Sequence, residues 1–219
     1  MGLVTGLIIV SWIFSGWLSM DHGRIFSKPN PTVKQTKALR GGSLAEVLSK
    51  MDTLNLIKHS GAREINFHAF SGDPVAVVKN ENGVVNSPAL QPEIIARAVS
   101  DAFPEVFIEK WGVVRPNDTY TDLLEGALPS GTIRVELSDP AKTWLHIDHR
   151  SGEIISVMDS SRRVYRWLYN GLHSLDFPGL SNRRPLWDIL MIVLLSAGFV
   201  ASLTGAVLGI RRGLSLFRN

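Results

Sequence analysis

Hydrophobic and polar residues divide the chain into three regions. Residues 1–20 carry no charged side chain, and neither do residues 189–210, which Asp188 precedes and Arg211 and Arg212 close. At 1.5 Å per residue, an uncharged run of about 20 residues spans roughly 30 Å of hydrocarbon. The pattern therefore predicts transmembrane helices over 1–20 and 186–210. A cleaved signal peptide is the competing reading of the first run, but no basic segment precedes it, and Trp12 and Trp17 suit an interfacial belt.

Between the runs the pattern is that of an α+β domain, expected over 21–159. Ser43 reads as the N-cap of a helix over 44–48, with Glu46 closing a capping box. Residues 63–70 alternate, with Ile65, Phe67 and Ala69 on one face and Glu64, Asn66 and His68 on the other, which predicts a strand. Residues 74–79 form a second strand, and Asn82-Gly83 turns the chain into a third. Ile94, Ile95, Ala98, Val99 and Ala102 repeat at helical spacing over 91–103, and Pro104 ends that helix. Strands follow over 106–114, 132–137, 143–148 and 153–158, the last pair joined at Ser151-Gly152. The order is a helix followed by a three-stranded sheet, twice over, as expected of two small half-units. Over 160–175, Val164, Trp167, Leu168 and Leu172 face away from Arg162, Arg163 and Arg166, so 160–185 reads as an interfacial helix and a loop broken by Pro178 and Pro185.

Composition agrees with membrane attachment. The mean hydropathy of +0.11 is high for a 219-residue chain in which 20% of residues are charged. With no cysteine there can be no disulfide framework, thiolate metal site or thiol nucleophile. A net charge of +3 is too small for a nucleic-acid partner, which would call for a dense basic face. Arg211, Arg212 and Arg218 after the second run favour a cytoplasmic C-terminus, although Arg183 and Arg184 before it pull the other way. Two spans then place both termini in the cytoplasm, residues 211–219 as a tail, and the central domain in the periplasm of a bacterial inner-membrane protein.

Several segments resemble the PepSY-associated transmembrane proteins. Residues 163–178 (RVYRWLYNGLHSLDFP), continuing through 184–188 (RPLWD) and 202–205 (SLTG), look like the approach to the last helix of that family. Residues 143–148 (TWLHID) with 151–154 (SGEI) resemble the closing hairpin of a PepSY module, and 15–24 (SGWLSMDHGR) the end of a family membrane helix. The likeness covers about a third of the chain. It implies a PepSY-like periplasmic domain with a binding or regulatory role, of a kind sometimes proposed to restrain peptidases, facing a periplasmic protein partner. The alternative it implies is electron transfer of the ferric-siderophore reductase type, with haem b on membrane histidines and a membrane redox partner. Relatives often carry a His-bearing segment ahead of the first helix, so the chain is expected to be shortened at its N-terminus.

The residues themselves narrow the chemistry. No Gly-x-Ser-x-Gly, His-Glu-x-x-His or phosphate loop is present, so no side-chain catalytic site is expected and an enzymatic role would rest on haem. His22 and His173 are the two histidines nearest the runs and the haem-ligand candidates, a role the resemblance strengthens; the competing reading makes each a polar interfacial anchor. His146 and His149 fall in a strand and turn where their spacing argues against a metal pair, while His59 and His68 are expected to be solvated. Ala197, Ala201, Gly205 and Gly209 recur every four residues, and Gly2 and Gly6 form a second small-residue pair, with Ser11, Ser15 and Ser19 on an adjacent stripe. Such stripes let helix backbones approach in lipid, within one chain or between copies.

Overall fold

The computed structural model describes residues 2–20, 25–51, 62–83, 85–86, 89–123 and 126–216. The chain divides into two compact units. One comprises 1–26, 123–125 and 164–219, the other 27–122 and 126–163.

The second unit is a mixed α+β fold with one core. Helix α2 (Val33–Arg40) opens on a capping box in which Thr32 Oγ1 accepts from the Gln35 N–H and Gln35 Oε1 accepts from the Thr32 N–H. Helix α3 (Leu44–Leu48) is capped in the same way by Ser43 and Glu46. Strands β1 (Glu64–Phe70), β2 (Asp73–Lys79) and β3 (Val85–Asn86) form an antiparallel sheet in that order. Ser71 and Gly72, both at positive φ, make the two-residue turn that the right-handed twist of a hairpin favours. Helix α4 (Pro92–Ala102) starts on a proline, which lacks only an N–H that the first turn would leave unpaired.

The second sheet is built of all four segments expected as strands, so it has one strand more than the repeated three-stranded half-unit allows. They are β4 (Ile108–Val113), β5 (Ile133–Leu137), β6 (Trp144–Ile147) and β7 (Ile154–Met158), antiparallel in chain order. Alternation sends Ile133, Val135, Leu137, Leu145 and Ile147 to one face. There they join Ile95 and Val99 of α4, Phe70, Val75 and Val77 of the first sheet, and Leu39 of α2 in a single apolar core. Close to the unit's two chain ends, the Ser27 N–H donates to Ser161 Oγ at 3.2 Å.

Helix α2 was not expected, because no apolar face marks it. Its signal is polar, a Thr32-x-x-Gln35 start and a Gly41 stop at φ 77°. Thr32→Ala should lower the unit's stability by about 1 kcal/mol, read as a shift in the urea midpoint; an unchanged midpoint would show that the cap is idle.

In the first unit, α1 (Gly2–Ser19) packs on residues 166–174 and on the last helix. Helix α5 (Ser160–Tyr165) runs into a π-helical turn, Arg166–Gly171, and a last short turn, Leu172–Ser174. The last helix, α6 (Arg184–Leu216), extends beyond the expected 186–210 at both ends. Pro185 starts it rather than breaking the chain, since proline is tolerated in a first turn, and Arg211 and Arg212 continue it into the expected tail. Among the described residues α6 is the one helix long and apolar enough to cross a membrane, while residues 6–19 of α1 form a shorter apolar helix.

Candidate functional site

His173 is built into the first unit by its neighbours. The π-helical turn and the short turn after it place Tyr165, Tyr169 and His173 in a ladder. Tyr165 stacks on Tyr169 and Tyr169 on His173, each pair with ring centroids 5.3 Å apart. Phe26 adds an edge-on contact to Tyr165 at 5.1 Å. The imidazole edge lies on α1 where Gly16 has no side chain; an added Cβ there would sit 3.2 Å from His173 Cε1. His173 Nδ1 lies 3.3 Å from Ser15 Oγ, and the Ser15 hydroxyl donates to the Trp12 carbonyl at 3.1 Å. With its one proton so used, Ser15 accepts from Nδ1–H, which leaves Nε2 as the nitrogen with a free lone pair. Ser15 is wholly buried. His22 and His59 lie outside the described residues.

Behind the ladder, Arg166 and Asp176 form an ion pair at 3.4 Å with both side chains only 2% exposed. The Asp176 N–H donates to the Asn170 carbonyl. Arg166 was expected on the solvated face with Arg162 and Arg163. The π-helical turn begins at Arg166, and the side chain is buried with Asn170 and Gly171.

Three glycines of the small-residue stripes make no close approach within the chain. Added Cβ atoms at Gly6, Gly205 and Gly209 meet nothing within 4 Å, so no helix backbone comes close at these three positions. Ala197 and Ala201 are half-buried, and Gly2 starts α1. The close approach made by α1 uses Ser15 and Gly16 instead, against His173.

In the second unit the outward face of the four-stranded sheet carries a polar cluster. Opposite registers place Arg134 beside His146 and Glu136 beside Trp144. Arg134 donates from Nε to His146 Nε2 at 2.9 Å and from both terminal nitrogens to Asp118, at 3.1 and 2.6 Å. Trp144 lies between two guanidinium groups, Arg134 at 4.4 Å and Arg163 at 4.2 Å, with Tyr120 edge-on at 5.3 Å. Burial works against the Asp118 carboxylate, yet the Arg134 hydrogen bonds and charge, with the Tyr120 N–H and the Thr121 hydroxyl, hold its pKa below the usual range. Burial, and then the Arg134 charge, push the His146 imidazole down to about 4 against the opposing pull of Asp118. His68, expected in solvent, is 17% exposed and sits 3.1 Å from the Glu153 carboxylate across the two sheets. Among the described residues no group of three or more His, Asp or Glu gathers as a metal site.

A cleft of about 520 Å³ opens on another side of this unit. Its walls are the 29–32 loop, α2 through Lys34, Gln35 and Ala38, and the end of α4 with residues 104–106. Its floor is the core itself, at Leu137, Leu145 and Val157. Lys34, Asp101 and Glu105 are exposed at its rim. Asp139, which also lines it, is committed to the Thr143 N–H and hydroxyl. A cleft of this size with an apolar floor and a few polar groups is the usual form of a ligand or side-chain binding site.

The cluster and the cleft were both missed from sequence. The alternation of 133–137 (IRVEL) and 144–147 (WLHI) does place Arg134, Trp144 and His146 on one face, but nothing local pairs them with Asp118. Comparison with family models, curated proteins and solved structures finds no match to the chain.

Proposed function

We propose that the chain is a membrane-anchored binding module. In this reading α1 and α6 both lie in the lipid bilayer of a bacterial inner membrane with the termini cytoplasmic. The α+β unit, PepSY-like in its closing hairpin, faces the periplasm and holds a protein partner. The observation that carries the reading is the cleft beside α2, whose floor reaches core residues Leu137 and Leu145, a seat for a partner's apolar side chain.

The test is site-specific photo-crosslinking in intact membranes. A photoreactive residue at Gln35, in the cleft, should give a discrete protein adduct, whereas one at the exposed Glu93 should not. Ala38→Trp fills the mouth from an exposed helix position and should lower the Gln35 yield by about tenfold or more with the melting temperature unchanged. Equal labelling at Gln35 and Glu93, or labelling insensitive to Ala38→Trp, overturns the reading.

A second reading, haem-b electron transfer, draws on the ladder of Tyr165, Tyr169 and His173. It leaves His173 Nε2 as a nitrogen able to serve as an axial ligand. Bound there, a haem would supply one-electron chemistry. In the first unit His173 is the one histidine among the described residues. A reduced-minus-oxidised spectrum of the purified protein decides: a Soret and alpha band lost in His173→Ala supports this reading, and no band in the unaltered protein ends it.

A further inference from the structure

The loop over 114–121 meets the outward face of the four-stranded sheet through Asp118 and Tyr120, with backbone hydrogen bonds from the Val114 N–H to the Thr132 carbonyl at its start and from the Leu128 N–H to the Thr121 carbonyl at its end. Asp118 of the loop accepts two hydrogen bonds from Arg134, and Tyr120 packs edge-on against Trp144. The Tyr120 N–H and the Thr121 hydroxyl fold back onto Asp118, and Thr121 is buried. Arg134 in turn is steadied by Nε donation to His146 Nε2. An imidazole that accepts at Nε2 carries its single proton on Nδ1, which here is buried without a hydrogen-bond partner. The nitrogen that must take the next proton is therefore the one already filled by a guanidinium N–H.

We infer that His146 is an acid-sensitive latch that holds the 114–121 loop on the sheet while neutral and releases it on taking a proton at Nε2. Protonation sets two N–H donors and two cations face to face at a separation now spanned by a 2.9 Å hydrogen bond. Asp118 is the carboxylate facing this pair, and both of its oxygens are already committed to Arg134. From β7 the register partner of His146 is Ser156, which has no charge. Arg163 adds a second guanidinium over Trp144 at 4.2 Å, where it donates to the Lys142 carbonyl. Arg134 relieves the clash by moving away with Asp118, which lifts the loop and removes one cation from Trp144.

The sign and size follow from linkage. The closed form resists protonation down to about pH 4, and an imidazole freed to solvent returns to about 6.5. Between these values the released form binds the extra proton, so the open-to-closed ratio rises about tenfold for each pH unit lost.

Hydrogen exchange of the full chain in lipid nanodiscs, corrected for the intrinsic rate, tests this. From about pH 7 to pH 4.5 the Leu128 amide, which donates to the Thr121 carbonyl at the end of the loop, should lose about 100-fold in protection, while the amides of β5 and β6 keep theirs. His146→Gln retains an acceptor oxygen near the Nε2 position and takes no proton, so its loop protection should stay flat. Wild-type loop protection unchanged to pH 4.5, or an equal loss in His146→Gln, overturns the latch. Should that variant not fold, histidine-selective NMR of the wild-type chain decides. His146 Nε2 must titrate in step with loop release, and titration without release, or release without titration, overturns it.

Discussion

Gly41→Ala is expected to destabilise the α+β unit by about 3–5 kcal/mol, enough to lower its melting temperature by on the order of 10 °C. Gly41 has φ 77°, the left-handed region that ends α2, and alanine there carries a strain of about 1 kcal/mol. Most of the loss is steric. A Cβ at this position would lie 2.0 Å from the Gly72 nitrogen and 2.5 Å from its Cα. Both are backbone atoms of the β1–β2 turn, so no side chain can swing aside. Relief requires drawing the turn off the helix end. That sacrifices the hydrogen bonds from the Ser71 N–H to the Leu39 carbonyl and from the Gly72 N–H to the Arg40 carbonyl, both 2.9 Å, each worth about 1 kcal/mol net. It also disturbs Leu39 in the core. Gly83 is the control: its φ is 70°, yet an added Cβ meets nothing within 4 Å, so Gly83→Ala should show the strain alone. Equal melting temperatures for the two variants would show that the close approach carries no energy.

Removing one member of the Arg166–Asp176 pair is the second large effect. With both side chains 2% exposed, Asp176→Ala removes a carboxylate paired with a buried guanidinium, at a cost of about 3–5 kcal/mol. The double variant Arg166→Met, Asp176→Leu buries no charge and should recover most of that loss. Thermal melting in detergent, followed by fluorescence of the tryptophans, reads both. A double variant no more stable than Asp176→Ala would mean that the damage comes from packing and not from the stranded charge. The neighbouring ladder gives a second reading, since the Asp176 N–H holds the Asn170 carbonyl just ahead of His173.

What was legible in the sequence was periodic. Alternation found β1 and β5 to within a residue at each end, and the Ile95–Val99 spacing found α4, because each of these elements turns one face to a common core. The α+β character followed from the same signals. Helix α2 escaped because its stability comes from end caps and Leu39 rather than from an apolar stripe. The site groups escaped for a different reason. Arg134 and Asp118 are 16 residues apart and Ser15 and His173 are 158 apart, and spacing on a strand or helix carries no information at such separations. Arg166 was misplaced because a helix wheel assumes 3.6 residues per turn, and the chain leaves that period at Arg166 itself.

The hydrogen bond from the Ser27 N–H to Ser161 Oγ has a topological consequence. It brings the leading and trailing ends of the α+β unit to within one hydrogen bond of each other, so that, residues 123–125 apart, the unit is a closed loop inserted in the chain. An insertion of this kind is modular. Cut just outside 27 and 163 and grafted into a surface turn of another protein, it keeps every register pair of both sheets and needs only two short joints. The same proximity permits circular permutation, with a brief linker across the clasp and new ends opened at the exposed turn 81–83.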